Sequence, residues 1–241
     1  MILHDVIVTN HAVSKDIYRL VVENETISRT AKPGQFVNLQ IDSELFTLRR
    51  PFGIAGVDRR TQVEIFYRVV GRGTNFLTTK QPGESVDLLS ALGHGFDVEK
   101  AEKIFVVGGG VGLAPLLFLC RESAGKKIHV FAGGKTAEDL FWKNFFRMEF
   151  TEFIGDRFPF DDFRKFVEAD PPDLIVTVAP EIMMRGVAKI ADEFKIPCQV
   201  SLEKRMACGL GACLGCSIDT AHGRKKVCKD GPVFYSSEVF L

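Results

Sequence analysis

The sequence predicts a multi-domain chain of three unlike parts: an antiparallel β domain at residues 1–98, an α/β domain with a parallel sheet at residues 99–200, and a small cysteine-rich module at residues 201–241. Three observations carry that reading. Short β-rich runs alternate with turn signals up to about residue 96. Strand-like and helix-like runs alternate after residue 101. Four of the six cysteines crowd into the tail.

In the first part the runs fall at residues 17–22, 35–41 and 62–70; Pro33-Gly34 precedes the second and Gly71-Arg72-Gly73 follows the third. This spacing, without a helical period, predicts an all-β barrel or sandwich. In the second part the apolar run 104–107 reads as a strand, and residues 115–121 as a helix whose first turn tolerates Pro115. Further strands are predicted at 128–132 and 174–178, and a helix at 181–194. Strands alternating with helices predict a parallel sheet covered by helices. The tail holds five glycines, four cysteines and no long apolar period, so a staple other than a hydrophobic core is needed, and metal ligation supplies one.

With 241 residues and 46% hydrophobic content the chain is long and apolar enough to bury such cores. Lys plus Arg and Asp plus Glu number 31 each, so no net field draws in nucleic acid or an anionic membrane. Residues 1–5 show no charged segment leading into an apolar core, and the expectation is a cytoplasmic protein. The uncharged stretch 104–120 is interrupted by Gly108, Gly109, Gly110, Gly112 and Pro115, and reads as strand, loop and helix instead of a membrane span.

Cys208 is followed after four residues by Cys213, after two more by Cys216, and after a further eleven by Cys228. This is the plant-type spacing for a [2Fe-2S] cluster held by four thiolates. Gly209, Gly211 and Gly215 let the backbone bend between the ligands and bring N–H donors toward the sulfurs. A structural zinc site with four cysteines, stapling a non-catalytic adaptor, is the alternative; zinc modules usually carry two close-spaced pairs, and here only Cys213 and Cys216 form one. Cys120 and Cys198 sit among apolar neighbours and read as ordinary buried thiols.

Gly108-Gly109-Gly110-Val111-Gly112-Leu113-Ala114-Pro115 joins a strand to a helix, where backbone N–H groups cradle a pyrophosphate. Leu113 stands where the standard dinucleotide fingerprint has glycine, so a tight turn with close helix–sheet packing competes with the nucleotide reading. A nicotinamide cofactor exchanges two electrons and a [2Fe-2S] cluster one, so a chain with both sites calls for a flavin between them. The candidate segments lie in the β domain: Arg50-Pro51-Phe52-Gly53, with Arg50 facing a pyrophosphate; Phe66-Tyr67-Arg68, with Tyr67 packing on the cofactor; and Gly73-Thr74, with amides toward phosphate. Each segment also has a plain structural reading, as solvated arginine or as core aromatic.

Flavin domain, dinucleotide domain and [2Fe-2S] tail in this order resemble the ferredoxin reductase superfamily. The tail, running from Ser201-Leu202-Glu203-Lys204-Arg205-Met206-Ala207-Cys208 to Cys216 and then Val227-Cys228-Lys229-Asp230-Gly231-Pro232, closely resembles the electron-transfer subunits of type B dihydroorotate dehydrogenases. The resemblance covers essentially the whole chain and makes the first domain a barrel.

It implies FAD, one [2Fe-2S] cluster and NAD as co-substrate. It also implies a partner: an FMN-containing catalytic subunit that oxidises dihydroorotate to orotate in pyrimidine synthesis, in a heterotetramer of two of each. Arg50 to Gly53, Phe66 to Arg68 and Gly73-Thr74 match the FAD segments, and Cys208, Cys213, Cys216 and Cys228 the cluster ligands. No acid–base residue of this chain is implied. Two positions depart from the pattern. Gly53 stands where a serine or threonine is common, and Ala179 where a cysteine often precedes the last α/β helix. The choice of NAD over NADP rests on the resemblance, since Lys135 reads equally as a 2′-phosphate contact or a solvated residue. A flavoprotein subunit of another NAD(P)H-linked complex, reducing ferredoxin or sulfur compounds, is the runner-up. Leu210, Leu214, Val233 and Phe234 are candidates for partner contact or for packing the module.

Overall fold

The computed structural model describes residues 5–42 and 44–240; residues 1–4, on which the reading of the N-terminus rests, lie outside them. The first part contains β1 (Asp5–Ala12), β2 (Ile17–Glu23), α1 (Glu25–Thr30), β3 (Phe36–Gln40), β4 (Arg50–Val57), β5 (Gln62–Arg68), α2 (Arg72–Leu77) and β6 (Ser85–Leu92). Its strands close an antiparallel barrel in the order β1-β2-β5-β4-β3-β6, which decides for the barrel over the sandwich. Alternation explains the wall. In β5, Val63, Ile65 and Tyr67 enter the barrel core, while Phe66 faces the other way and joins the core of the second domain.

The all-β expectation needs correction at two places. Residues 25–30 and 72–77 are helices, each six residues long and too short to show an apolar period. The Asn24 side chain caps α1 by accepting from the Ile27 N–H at 2.8 Å. The glycines expected to make a turn after β5 instead open α2, with Gly71 in extended backbone before its first residue.

The second part runs β7 (Lys103–Gly109), a 3-10 turn at Gly110–Gly112, α3 (Leu113–Glu122), β8 (Lys127–Gly134), a 3-10 segment at Ala137–Asn144, β9 (Glu149–Ile154), α4 (Phe160–Ala169), β10 (Leu174–Val178), α5 (Glu181–Glu193) and β11 (Cys198–Ser201). The tail adds β12 (Ser217–Thr220), β13 (Gly223–Lys226), α6 (Val227–Asp230), β14 (Val233–Tyr235) and α7 (Ser236–Val239). Six strands form one sheet, β14-β11-β10-β7-β8-β9, parallel throughout except β14, which pairs antiparallel with β11. β12 and β13 form a separate hairpin that carries the chain from Cys216 to Cys228. The cysteine tail is thus woven into the edge of the sheet. No helix among the described residues is long and apolar enough to cross a membrane.

Barrel and sheet meet over α3. Ile17, Ala55 and Phe66 of the barrel share a core with Leu113, Leu116, Leu117 and Cys120. Around that core, Arg19 and Arg121 both donate to the buried carboxylate of Glu64, and Arg59 pairs with Glu122. Cys120 and Cys198 are buried, and burial pushes both thiols up to about 12.

Candidate functional site

The candidate flavin strand is the first half of β4. Facing residues set Leu39 opposite Arg50, Asn38 opposite Pro51, Val37 opposite Phe52 and Phe36 opposite Gly53. The Arg50 guanidinium lies 4.7 Å from the centre of the Phe46 ring and donates to the Leu48 carbonyl. A Cβ at Gly73 would stand 2.6 Å from Arg50 Nε and 2.7 Å from Nη2, so the missing side chain is what lets the guanidinium lie against the start of α2. Arg50 forms no ion pair with a carboxylate among the described residues, which leaves its planar fork for an anion. Thr74 Oγ1 accepts from the Val70 N–H at 2.9 Å and closes the turn from β5 into α2.

The other two residues of the middle segment part company. Tyr67 is buried in the barrel, stacks on Tyr18 at 5.5 Å and donates its hydroxyl to Asn10 Oδ1 at 2.9 Å. Burial raises its pKa. Phe66 packs on Trp142 at 4.9 Å and Phe145 at 5.2 Å in the interdomain core. Both take the core reading. Arg68 does reach the junction: it pairs with Asp16 at 3.1 Å, and its Nη2 lies 3.5 Å from where a Cβ on Gly110 would be.

The glycine turn separates into roles. A Cβ on Gly108 would fall 2.5 Å from Leu113 Cδ2, and one on Gly112 would fall 2.3 Å from the Val178 carbonyl oxygen, so both are packing glycines that seat α3 on the sheet. Gly110 has φ +56° and opens the 3-10 turn. Gly109 faces Met183, Pro180 and Ala179 at the start of α5. Gly53 lies against Pro115, with its would-be Cβ 3.4 Å from the proline ring, so flavin strand and glycine turn touch. A side chain at residue 53 would have to share that space. Lys135 is exposed on the next loop, where its N–H and that of Thr136 donate to Asp139 Oδ2 at 2.9 and 3.1 Å.

In the tail, Gly209 and Gly211 have φ +71° and +82°, and Leu214 takes φ +60°, so the chain coils tightly around its thiols. The N–H groups of Leu210 and Cys213 donate to Cys208 Sγ at 3.4 and 3.5 Å, and hold that thiol down to about 6. The Cys228 N–H donates to Cys216 Sγ at 3.4 Å. Burial and the adjacent Cys216 push the Cys228 thiol up to about 12. Cys213 lies beside Cys208 and Cys216 beside Cys228, and Cys208 is near enough to Cys228 to add to the rise of its pKa. Among the described residues no three His, Cys, Asp or Glu side chains converge closely enough for a single metal ion. Paired thiols receiving backbone N–H bonds are a donor set that fits a two-iron cluster. Leu210 and Leu214 beside them are 56% and 62% exposed, whereas Phe234 is buried under the sheet edge.

Two groups at this junction escaped the sequence reading. Asn38, fully buried on β3, donates to the Cys208 carbonyl at 3.4 Å. Glu64 gathers Arg19 and Arg121. A lone polar residue within Phe36-Val37-Asn38-Leu39 was the available signal for the first; the second joins residues far apart in sequence and left none.

A closed barrel docked on a parallel sheet through a glycine turn defines a ferredoxin-reductase-like protein, and a solved NADH-dependent reduced ferredoxin-NADP oxidoreductase shares this fold with TM-score 0.86 and 27% identity, covering 98% of this chain and 90% of that one. Residues 203–240 match the iron-sulfur cluster binding domain of dihydroorotate dehydrogenase B. The chain belongs to the family of dihydroorotate dehydrogenase B (NAD+) electron transfer subunits. The Clostridium acetobutylicum member is 33% identical over 240 residues, covering 96% of this chain and 94% of its own. A Bacillus cereus member is 34% identical over 254 residues, covering 98% and 97%.

Proposed function

We propose that the chain is the electron-transfer subunit of an NAD-linked dihydroorotate dehydrogenase, an oxidoreductase of pyrimidine biosynthesis. It would convey electrons from dihydroorotate, oxidised in a separate FMN-containing subunit, through a [2Fe-2S] cluster and FAD to NAD+. The working division is a FAD-binding barrel at 1–98, a NAD-binding domain at 99–200 and a cluster module at 201–241. The proposed assembly is a cytoplasmic heterotetramer of two copies of each subunit.

Bound flavin supplies the exchange between two-electron and one-electron carriers. The chain's own part is to bind, orient and exclude water. Arg50 would meet the flavin pyrophosphate with its fork, Pro51 to Gly53 would line the flavin, and Gly73-Thr74 would offer amides to phosphate. Gly108 to Gly112 shape the nucleotide turn, with Arg68 beside it. Phe66 and Tyr67 act from behind, as the packing that fixes β5. Cys208, Cys213, Cys216 and Cys228 would ligate the cluster. Gly53 and Ala179 offer no hydroxyl or thiol, so the hydride path would be lined by backbone and apolar atoms.

One observation carries this reading: arginine-bearing strand, glycine turn and cysteine loop converge, with Gly53 on Pro115, Arg68 beside Gly110 and Asn38 on the Cys208 peptide. The test is anaerobic purification with the co-expressed catalytic subunit. Two irons, acid-labile sulfide and FAD per chain, with dihydroorotate-dependent reduction of NAD+ by the pair, are expected. A folded complex without iron, or one that leaves NAD+ unreduced, overturns the reading. The likeness to the ferredoxin-NADP oxidoreductase favours one second reading, a subunit working with ferredoxin. Activity with ferredoxin alone, and none with dihydroorotate, would select it.

A further inference from the structure

On the outside of the barrel, Phe36, Asn38, Pro51 and Gly53 share one face, because residues opposite one another in an antiparallel pair lie on the same side. Val37 and Leu39 alternate with them into the barrel core. Gly53 meets Pro115 of the glycine-turn helix, and Phe36 packs in the cluster that contains Cys216, Cys228 and Phe234. Asn38 therefore stands between the Pro51–Gly53 stretch and the cysteine tail.

Its contacts are specific. The side chain is fully buried, and Nδ2 donates to the Cys208 carbonyl at 3.4 Å. A Cβ at Gly209 would come within 2.6 Å of Nδ2, so residue 209 must be small for the carboxamide to reach the loop. The Asn38 main-chain carbonyl accepts from Arg49 Nη1 at 3.1 Å, and Arg49 is itself paired with Asp87, which holds the strand in place. Oδ1 is buried and has no hydrogen-bond partner among the described residues. A buried acceptor without a donor is costly, and in native proteins such an atom calls for an explanation, a donor from a bound group being one.

We propose that Asn38 is a positioning residue for electron passage between flavin and cluster. Through Nδ2 it fixes the Cys208 peptide against the outward face of β3 and β4, and its Oδ1 remains as an acceptor for the group bound on that face. The inference rests on the flavin and cluster reading above and adds the residue that couples the two sites.

The test uses holo protein carrying Asn38→Leu, which keeps the branched skeleton and removes both hydrogen-bonding ends, and Asn38→Asp, which keeps an acceptor and removes the amide donor. NADH is the reductant; it delivers two electrons to the flavin, of which one passes to the cluster and one stays on the flavin. In anaerobic stopped flow both variants are expected to lower the rate of cluster reduction about tenfold relative to the rate of flavin reduction in the same sample. The EPR spectrum of the reduced cluster should shift, and amide exchange at residues 208–211 should quicken in the iron-free chain. Should Asn38→Leu fail to fold, Asn38→Asp decides. A variant that loads both groups with unchanged cluster reduction, EPR spectrum and exchange overturns the proposal and leaves the electron-transfer reading standing. A parent protein without iron or flavin overturns both.

Discussion

Gly73 separates folding from binding at a single atom. The nearest atoms a methyl group there would meet are those of the Arg50 guanidinium, so the chain accommodates it by moving the end of that side chain. Gly73→Ala should leave stability to urea within about 1 kcal/mol, since alanine also favours α2. Flavin affinity, followed by fluorescence titration, should fall about tenfold, the equivalent of about 1.4 kcal/mol. A variant that binds flavin like the parent would remove Arg50 from the site. Residue chemistry was legible in the sequence where one residue type has few uses, as in the spacing of the four thiols. It was illegible where burial decides. Phe66 and Tyr67 are adjacent aromatics on a strand, and only the direction of β5 shows that one faces the second domain and the other the barrel core.

Between elements, the joint that matters is α3 on β4 and β5. Glu64 is the shared acceptor of Arg19 and Arg121, one from each side of the joint, and is itself buried. Glu64→Ala should cost about 1–3 kcal/mol, the usual loss for hydrogen bonds to a charged group with half-exposed arginine partners. The midpoint of chemical denaturation reads that loss, and an unmoved midpoint would deny the triad a part in docking α3. At the far side of the sheet, His129 on β8 stacks on Phe131 at 4.1 Å, and burial lowers its pKa from the ordinary 6.5, against an opposing pull from Glu149. The unfolded chain then binds the proton more readily than the folded one, so stability is full above pH 6.5 and declines as the pH falls below it. His129→Gln should flatten the dependence of thermal stability between about pH 7 and pH 5; an unaltered slope would place its origin elsewhere. Two of the three long helices were legible from their apolar pattern, whereas α4, as long as α3, was not named. Residues 115–121 and 181–194 were read as helices and lie within or against Leu113–Glu122 and Glu181–Glu193. α1, α2, β9 and β14 escaped because three to six residues carry too little pattern, and β14 depends on a partner strand remote in sequence.

For the whole molecule, the exposed pair Leu210 and Leu214 rims the cysteine loop and is the candidate contact for a partner subunit. Leu210→Asp should abolish co-purification with the catalytic subunit while the flavin and cluster absorbance of the isolated chain persists. A complex that survives the change moves the interface elsewhere. The insertion of β14 beside β11 has a consequence for biogenesis. During synthesis every parallel strand emerges from the ribosome before the one that shields their outer border, so the nascent domain waits with a bare hydrogen-bonding rim. That rim is covered only after all four thiols have been made. Iron delivery and the covering of that rim therefore fall in the same interval of synthesis.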